Sequence, residues 1–164
     1  MRIYLGGVQG VGKSSIAKML IVHHPEMVHY STSEILMKHF GVAEREDLEK
    51  ISISQAKRDE IFSLFYENNP NLILDGHFKL AMQDSTFFDF FFFIDAPDEL
   101  IIERRQKDKI RKRATNALLA DERAKELSAA KESDIAPIII INSGTLQKAV
   151  SEINMVIGAV SRAT

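Results

Sequence analysis

Residues 7–14 read Gly7-Val8-Gln9-Gly10-Val11-Gly12-Lys13-Ser14, and this run matches the pattern G-x-x-x-x-G-K-[ST] at every fixed position. Glycines let a backbone wrap around phosphate groups with its amide N–H groups pointing inwards, and a following helix adds its positive N-terminal end. A turn that served packing alone would need neither the cation nor the hydroxyl that end this run. The stretch therefore predicts a loop that holds the phosphates of a nucleotide.

The polar residues of this loop have separate expected roles. Lys13 is expected to act in catalysis by reaching the β- and γ-phosphates, and Ser14 is expected to hold Mg²⁺. We therefore expect ATP and Mg²⁺ as cofactors. The residues expected to bind ATP here are Gly7, Gly10, Val11, Gly12, Lys13, Ser14 and Ser15.

Outward from the loop, short apolar runs alternate with segments of helical spacing. The runs are Arg2 to Leu5, Met27 to Tyr30, Leu72 to Leu74, Phe90 to Ile94 and Ile138 to Ile141. The helical segments are Lys13 to His23, Ser33 to Phe40, Ser54 to Asn68, Pro97 to about Lys109, Thr115 to Ser133 and Thr145 to Ser161. Continuous apolar runs are typical of strands covered on both faces. The order predicts a doubly wound α/β fold, with a five-stranded parallel sheet and helices on both faces.

Composition narrows the class of protein. A chain of 164 residues predicts one domain spanning residues 1–164, and a net charge of −2 does not favour bulk nucleic-acid binding. The absence of cysteine excludes disulfides and a thiol nucleophile, and fits a reducing compartment. The N-terminus shows no signal peptide or membrane span. We expect a cytoplasmic protein whose partners are small-molecule nucleotides.

The third apolar run ends in an acidic residue that suits the metal. Asp75 follows Leu74 at the point where ligands collect in parallel sheets, so it is expected in the Mg²⁺ shell, through water. Asp95 is the rival carboxylate at the end of the fourth run. The turn into Pro97 already gives Asp95 a structural explanation, so Asp75 is preferred.

The order of these motifs resembles the nucleoside monophosphate kinases, most closely the compact archaeal type of adenylate kinase, over nearly the whole chain. The resemblance implies a P-loop NTPase fold with acceptor-binding helices at about residues 31–70. The turn at Ser31-Thr32-Ser33 looks like the monophosphate pocket, which makes Thr32 a substrate-binding residue, although Met37 stands where bacterial relatives have an arginine. A plain helix cap explains the same hydroxyls equally well.

The segment after the third run carries two further substrate-binding residues by the same resemblance. Asp75 and His77 match the Asp-Thr-His segment of the archaeal form, and Lys79 falls where typical adenylate kinases place an arginine on the acceptor phosphate. A turn histidine often has no function, so His77 by itself remains open.

A basic segment resembles the short arginine-rich lid of the family, at about residues 104–123. Seven of the ten residues from Arg104 to Arg113 are Lys or Arg. The resemblance makes Arg104, Arg111 and Arg113 catalytic, because guanidinium groups stabilise the charge of a transferring phosphoryl group. Arg123 is a further candidate cation. A solvated basic helix face, or a contact to RNA, is the alternative for the segment.

The fifth run ends in a polar turn that resembles the loop cradling adenine. Asn142 and Gly144 are accordingly expected to bind ATP, although a helix-capping turn explains them equally.

The expected function is Mg²⁺-dependent transfer of the ATP γ-phosphate to a nucleoside monophosphate, with AMP as the first expectation. Another small-molecule kinase is one alternative. Shikimate-type kinases are disfavoured, because they have paired acids after the second strand and a glycine triplet after the third. The other alternative is an adenylate-kinase-like ATPase that acts in assembly or ribosome maturation. Analogy with the archaeal relatives allows a homo-oligomer.

Overall fold

Five parallel strands form one sheet in the computed structural model, which describes residues 1–77, 85–107, 119–132, 135–160 and 162. The strands are β1 (Arg2–Gly6), β2 (Val28–Ser31), β3 (Leu72–Asp75), β4 (Phe90–Asp95) and β5 (Ile138–Ile141). Their order across the sheet is β2-β3-β1-β4-β5, and every neighbouring pair is parallel. The predicted five-stranded, doubly wound α/β fold is confirmed.

In the described residues, helices connect β1 to β2, β2 to β3 and β4 to β5, and one more helix follows β5. These are α1 (Lys13–His23), α2 (Thr32–Phe40), α3 (Arg45–Glu49), α4 (Gln55–Glu67), α5 (Asp98–Lys107), α6 (Leu119–Glu132) and α7 (Leu146–Val160). Each predicted helix is present: α1 has the predicted bounds, and the other predicted ends that fall in the described residues are matched to within one residue. Predicted residues 108–109, 115–118, 133 and 161 lie outside the described part. The short α3 was not predicted, because five residues are too few to show helical periodicity.

The sheet is covered on both faces by separate apolar clusters. One cluster joins Ile3, Leu5 and Ile94 to residues of α1 and α7. The other surrounds the fully buried Tyr4 with residues of α2 and α4 and with Phe88. Burial on both sides explains why the central strands β1, β3 and β4 contain continuous apolar runs that do not alternate with polar residues.

Register brings the ends of the strands to one edge of the sheet. Asp75 at the end of β3 is paired with Leu5 of β1 and with Ser31 of β2. Asp95 at the end of β4 is paired with Ile141 of β5. The loop of residues 7–14 begins at this same edge, directly after β1. Within the described residues, no helix is both long and apolar enough to cross a bilayer.

Candidate functional site

The loop between β1 and α1 has a backbone that only glycine adopts easily. Gly7 has φ +129° and Gly12 has φ +97°. A Cβ on Gly7 would lie 2.2 Å from the carbonyl oxygen of Ile94, and one on Gly12 would lie 2.7 Å from Asn142 Nδ2. Glycine is therefore required at both fixed glycine positions of the motif, by the backbone torsion angle and by the lack of room for a Cβ.

The Lys13 side chain folds back over the loop. Its Nζ donates to the carbonyl oxygens of Gly7 at 2.6 Å and Val8 at 2.9 Å. These two bonds hold the ammonium group across the mouth of the loop. The predicted phosphate-contacting cation therefore lies on the loop that is expected to hold the phosphates.

The two predicted metal-binding residues lie in direct contact. Ser14, in the first turn of α1, donates from Oγ to Asp75 Oδ2 at 2.9 Å, and Asp75 is only 5% exposed. The second oxygen of this carboxylate lies 2.7 Å from His29 Nε2. His29 was not predicted from the sequence, because nothing local distinguishes a histidine inside β2 from an ordinary strand residue.

The rival carboxylate has a structural role, as expected. Asp95 Oδ1 accepts from the Ala96 amide at 2.8 Å and from Arg123 Nε at 2.8 Å. Arg123 also donates to the Ala96 carbonyl at 2.8 Å, and its Nη1 lies 2.7 Å from Asp98 Oδ1. The Arg123 guanidinium is thus bound to two carboxylates, and this ties α6 to the turn between β4 and α5.

The two adjacent arginines of α5 both contact the loop. Arg104 Nη1 donates to the carbonyl oxygens of Val11 at 3.1 Å and Gly10 at 3.4 Å. The buried Arg105 donates from Nε to the Gln9 carbonyl at 2.9 Å and makes a two-pronged pair with Glu122 of α6. Arg104 therefore lies beside the phosphate loop, and its catalytic role stays a prediction. The other two predicted catalytic arginines, Arg111 and Arg113, lie outside the described residues.

Asn142 supports the loop from the far side. The residue is 1% exposed, and its Nδ2 donates to the Val11 carbonyl at 2.7 Å. Its side-chain oxygen is buried and has no hydrogen-bond partner among the residues that the structure describes. At Gly144, by contrast, an added Cβ would meet nothing within 4 Å. The predicted adenine contacts of both residues remain predictions.

Two of the predicted acceptor residues, Thr32 and His77, lie near the end of β3. Ser31 is the helix cap of α2: its Oγ accepts from the Glu34 amide, and the Glu34 carboxylate accepts from the Ser31 amide. The cap is therefore Ser31, and Thr32 is the first helical residue. Thr32 is buried against Gly76, since a Cβ there would lie 2.7 Å from Thr32 Oγ1.

His77 follows directly and is held at two points. Its Nδ1 is hydrogen-bonded to Glu126 Oε1 of α6, and its carbonyl accepts from the Tyr4 hydroxyl at 2.7 Å. Burial raises the pKa of Tyr4 well above its ordinary value, so this hydroxyl stays protonated and donates. The third predicted acceptor residue, Lys79, lies outside the described residues.

A cavity of about 310 Å³ lies between the loop and α6. Its lining consists of Val8, Gln9, His77, Arg105, Glu122, Lys125 and Glu126. Glu122, Lys125 and Glu126 were not predicted as site residues. Their spacing of three and four residues places them on one face of a helix, but that spacing is equally typical of a solvated charged face.

A family model described as an AAA domain matches residues 6–119, which include the phosphate loop, β2 to β4 and the helices α1 to α5. The chain belongs to the AAA domain family. No curated protein matches its sequence significantly.

Solved structures show the same fold as this AAA-domain chain. A shikimate kinase from Aquifex aeolicus vf5 is 23% identical with a TM-score of 0.66, and all of both chains is covered. A shikimate kinase from Acinetobacter baumannii in complex with shikimate is 16% identical with a TM-score of 0.68, covering 96% of this chain and 93% of that one. A gluconokinase from Sinorhizobium meliloti 1021 is 12% identical with a TM-score of 0.57, covering 99% and 97%. The fold is that of the P-loop kinases.

Proposed function

We propose that the chain transfers the γ-phosphate of ATP to a small-molecule acceptor in a Mg²⁺-dependent reaction. The observation that carries the proposal is the contact between Ser14 Oγ and Asp75 Oδ2 at 2.9 Å, beside a loop crossed by the Lys13 ammonium. A hydroxyl and a carboxylate are the hard oxygen ligands that Mg²⁺ prefers. The residues present therefore fit the metal, which would neutralise charge on the phosphates when bound.

Catalysis by these residues consists of positioning and charge stabilisation. Loop amides and Lys13 hold the β- and γ-phosphates, and Arg104 adds a guanidinium at the Gly10–Val11 end of the loop. The bond from the γ-phosphorus to the bridging oxygen breaks, ADP leaves, and an acceptor oxygen forms the new bond. Lys13 exchanges its two carbonyl partners for phosphate oxygens, which are stronger charge-assisted acceptors.

A nucleoside monophosphate, with AMP first, is the acceptor that the resemblance favours. Thr32 lies against Gly76, and His77 follows at the end of the same strand connection, so these two predicted acceptor residues are neighbours. This juxtaposition supports an acceptor site between β3 and α2. In this proposal, the Lys79 ammonium group binds the phosphate of the acceptor.

A hydroxyl-bearing small molecule is the second candidate acceptor, and the cavity beside the loop favours it. Two carboxylates, Glu122 and Glu126, line that cavity beside the cations Arg105 and Lys125, and carboxylates of this kind can accept hydrogen bonds from hydroxyl groups. The names of the solved structures with this fold, shikimate kinase and gluconokinase, belong to hydroxyl-phosphorylating enzymes, which is consistent with this candidate.

The test is a coupled assay of ADP formation with a panel of acceptors: AMP and other monophosphates, shikimate, and gluconate. Turnover with AMP supports the first acceptor, and turnover with a hydroxy acid supports the second. ATP hydrolysis that no acceptor stimulates would favour the assembly-type ATPase instead.

Lys13→Ala serves as the control for the same site. We expect its rate to fall by roughly a hundredfold or more, as for other donors that stabilise transition-state charge. Lys18→Ala is the matched variant, because Lys18 is exposed on the same helix. Equal rates for Lys13→Ala and the parent chain would contradict the proposed function.

A further inference from the structure

The carboxylate of Asp75 has a partner on each of its two oxygens. Oδ2 accepts from Ser14 Oγ at 2.9 Å, and Oδ1 lies 2.7 Å from His29 Nε2. The three side chains come from α1, β3 and β2. We propose that His29 is a positioning residue, which holds Asp75 in the orientation that binds metal beside Ser14; this rests on the proposed function.

Burial makes the contact between His29 and Asp75 well defined. The His29 side chain is 11% exposed and the Asp75 side chain 7% exposed. Hydrogen bonds in such surroundings compete little with water, so the partners hold a fixed geometry. In the described part of the chain, Ser14 and His29 are the side chains that hydrogen-bond this carboxylate.

Ser14 and His29 contact different oxygens of the Asp75 carboxylate, and for this reason His29 can fix its orientation. A carboxylate held at one oxygen can rotate about its last side-chain bond and turn the other oxygen away from a metal. With Oδ1 held by His29, Oδ2 stays directed at Ser14. Groups that orient a metal ligand in this way change metal affinity by about ten- to a hundredfold when they are removed.

The sheet places His29 for this contact. β2 and β3 are parallel neighbours, with His29 paired to Ile73 and Ser31 paired to Asp75. His29 thus lies two residues before the strand end at which Asp75 emerges. It contacts Oδ1, the oxygen that Ser14 does not contact, and so leaves Oδ2 available to the metal beside Ser14.

The experiment measures the affinity of a non-hydrolysable ATP analogue by calorimetry, once with Mg²⁺ and once with EDTA. The parent chain should bind more tightly with Mg²⁺. His29→Leu, which removes the hydrogen bond, should lose about tenfold of that Mg²⁺-dependent gain while its affinity in EDTA is unchanged. His29→Gln, which keeps a donor at similar reach, should retain the gain.

His24→Leu is the matched control. His24 is also partly buried and makes one side-chain hydrogen bond, to Asn154 Oδ1 at 2.9 Å, but it lies at the end of α1 away from the loop. Its Mg²⁺-dependent gain should equal that of the parent chain.

Each other outcome overturns the inference. An unchanged Mg²⁺ gain in His29→Leu means that His29 does not position the ligand, and an equal loss with Mg²⁺ and EDTA means that it only stabilises the fold. If His29→Leu fails to fold, His29→Asn replaces it, because the asparagine amide is too short to reach Asp75. Equal Mg²⁺-dependent gains for His29→Asn and His29→Gln refute the proposal. A parent chain that binds no analogue, or binds it without a Mg²⁺ effect, refutes the proposed function itself and with it this inference.

Discussion

At the scale of single residues, the loop glycines show how strictly the chain path is set. A Cβ at Gly7 would come within 2.2 Å of a backbone oxygen, which cannot move aside as a flexible side chain could. The torsion angle is also one that other residues rarely adopt. Packing against β4 therefore fixes the path of the backbone at Gly7, whether or not the expected ligand is bound.

Gly7→Ala should lower the free energy of unfolding by about 2 kcal/mol or more, because strain of the backbone adds to the clash. Urea unfolding followed by circular dichroism measures this. Gly158→Ala is the control: Gly158 lies in α7, an added Cβ meets nothing there, and the change should raise stability by about 0.5–1 kcal/mol. A Gly7→Ala chain as stable as the parent would show that the loop can take another path.

Ser31 and Thr32 are adjacent hydroxyl residues with different surroundings. Ser31→Ala removes the cap of α2 and should cost about 1 kcal/mol of stability with little effect on acceptor use. Thr32→Val keeps the shape but removes the hydroxyl beside Gly76, and should raise the KM for the acceptor by roughly five- to tenfold. Steady-state kinetics and thermal unfolding of both variants separate the two roles. The reverse pattern would make Thr32 a purely structural residue.

At the scale of elements, α5 and α6 are joined to the loop by an arginine–glutamate pair. Arg105 is almost fully buried, contacts the Gln9 carbonyl, and pairs with Glu122 at 2.6 Å. α6 is tied a second time through Arg123 to Asp95 and Asp98. Arg105 and Arg123, which lie in the lid-like segment of the sequence, thus anchor helices in this structure. Arg104 contacts the phosphate loop, and its catalytic role stays a prediction.

Glu122→Ala should lower the free energy of unfolding by roughly 1–3 kcal/mol, because it removes the carboxylate that pairs with the buried Arg105 guanidinium. Thermal unfolding at two salt concentrations measures the effect, and the loss should persist at high salt. Glu103→Ala breaks the exposed pair with Lys107 and should cause no measurable change. Equal effects of the two variants would contradict a structural role for the buried pair.

At the scale of the whole molecule, the site joins residues of the loop, the ends of β3 and β5, and the helices α1, α2, α5 and α6. A ligand that binds only the folded chain must therefore stabilise all of it. At a nucleotide concentration about a hundred times its dissociation constant, the gain should be about 2.7 kcal/mol. Thermal unfolding with and without the Mg²⁺ complex of the non-hydrolysable ATP analogue measures this gain as a rise in Tm, and Lys13→Ala should show almost none. A Tm of the parent chain that the complex leaves unchanged would contradict nucleotide binding.

Local sequence determined the phosphate loop, the strands and the principal helices, and it placed Asp75 at the edge of the sheet where that loop begins. These follow from patterns that are short and that have few structural solutions: a glycine–lysine–serine motif, continuous apolar runs, and the rule that parallel strands end at one edge. Even Asp95 could be assigned a role in its turn, because the following Pro97 is adjacent in the chain.

Only the tertiary structure decided which distant side chains meet. His29 and Asp75 are 46 residues apart, His77 and Glu126 are 49 apart, and Arg105 and Glu122 are 17 apart. In each pair, one residue looks ordinary where it stands in the chain. Their contacts depend on the order β2-β3-β1-β4-β5 and on how α6 packs across the loop, and no local pattern encodes either. Contacts between side chains of different helices and strands arise when these elements pack together, so they form only once the chain is folded.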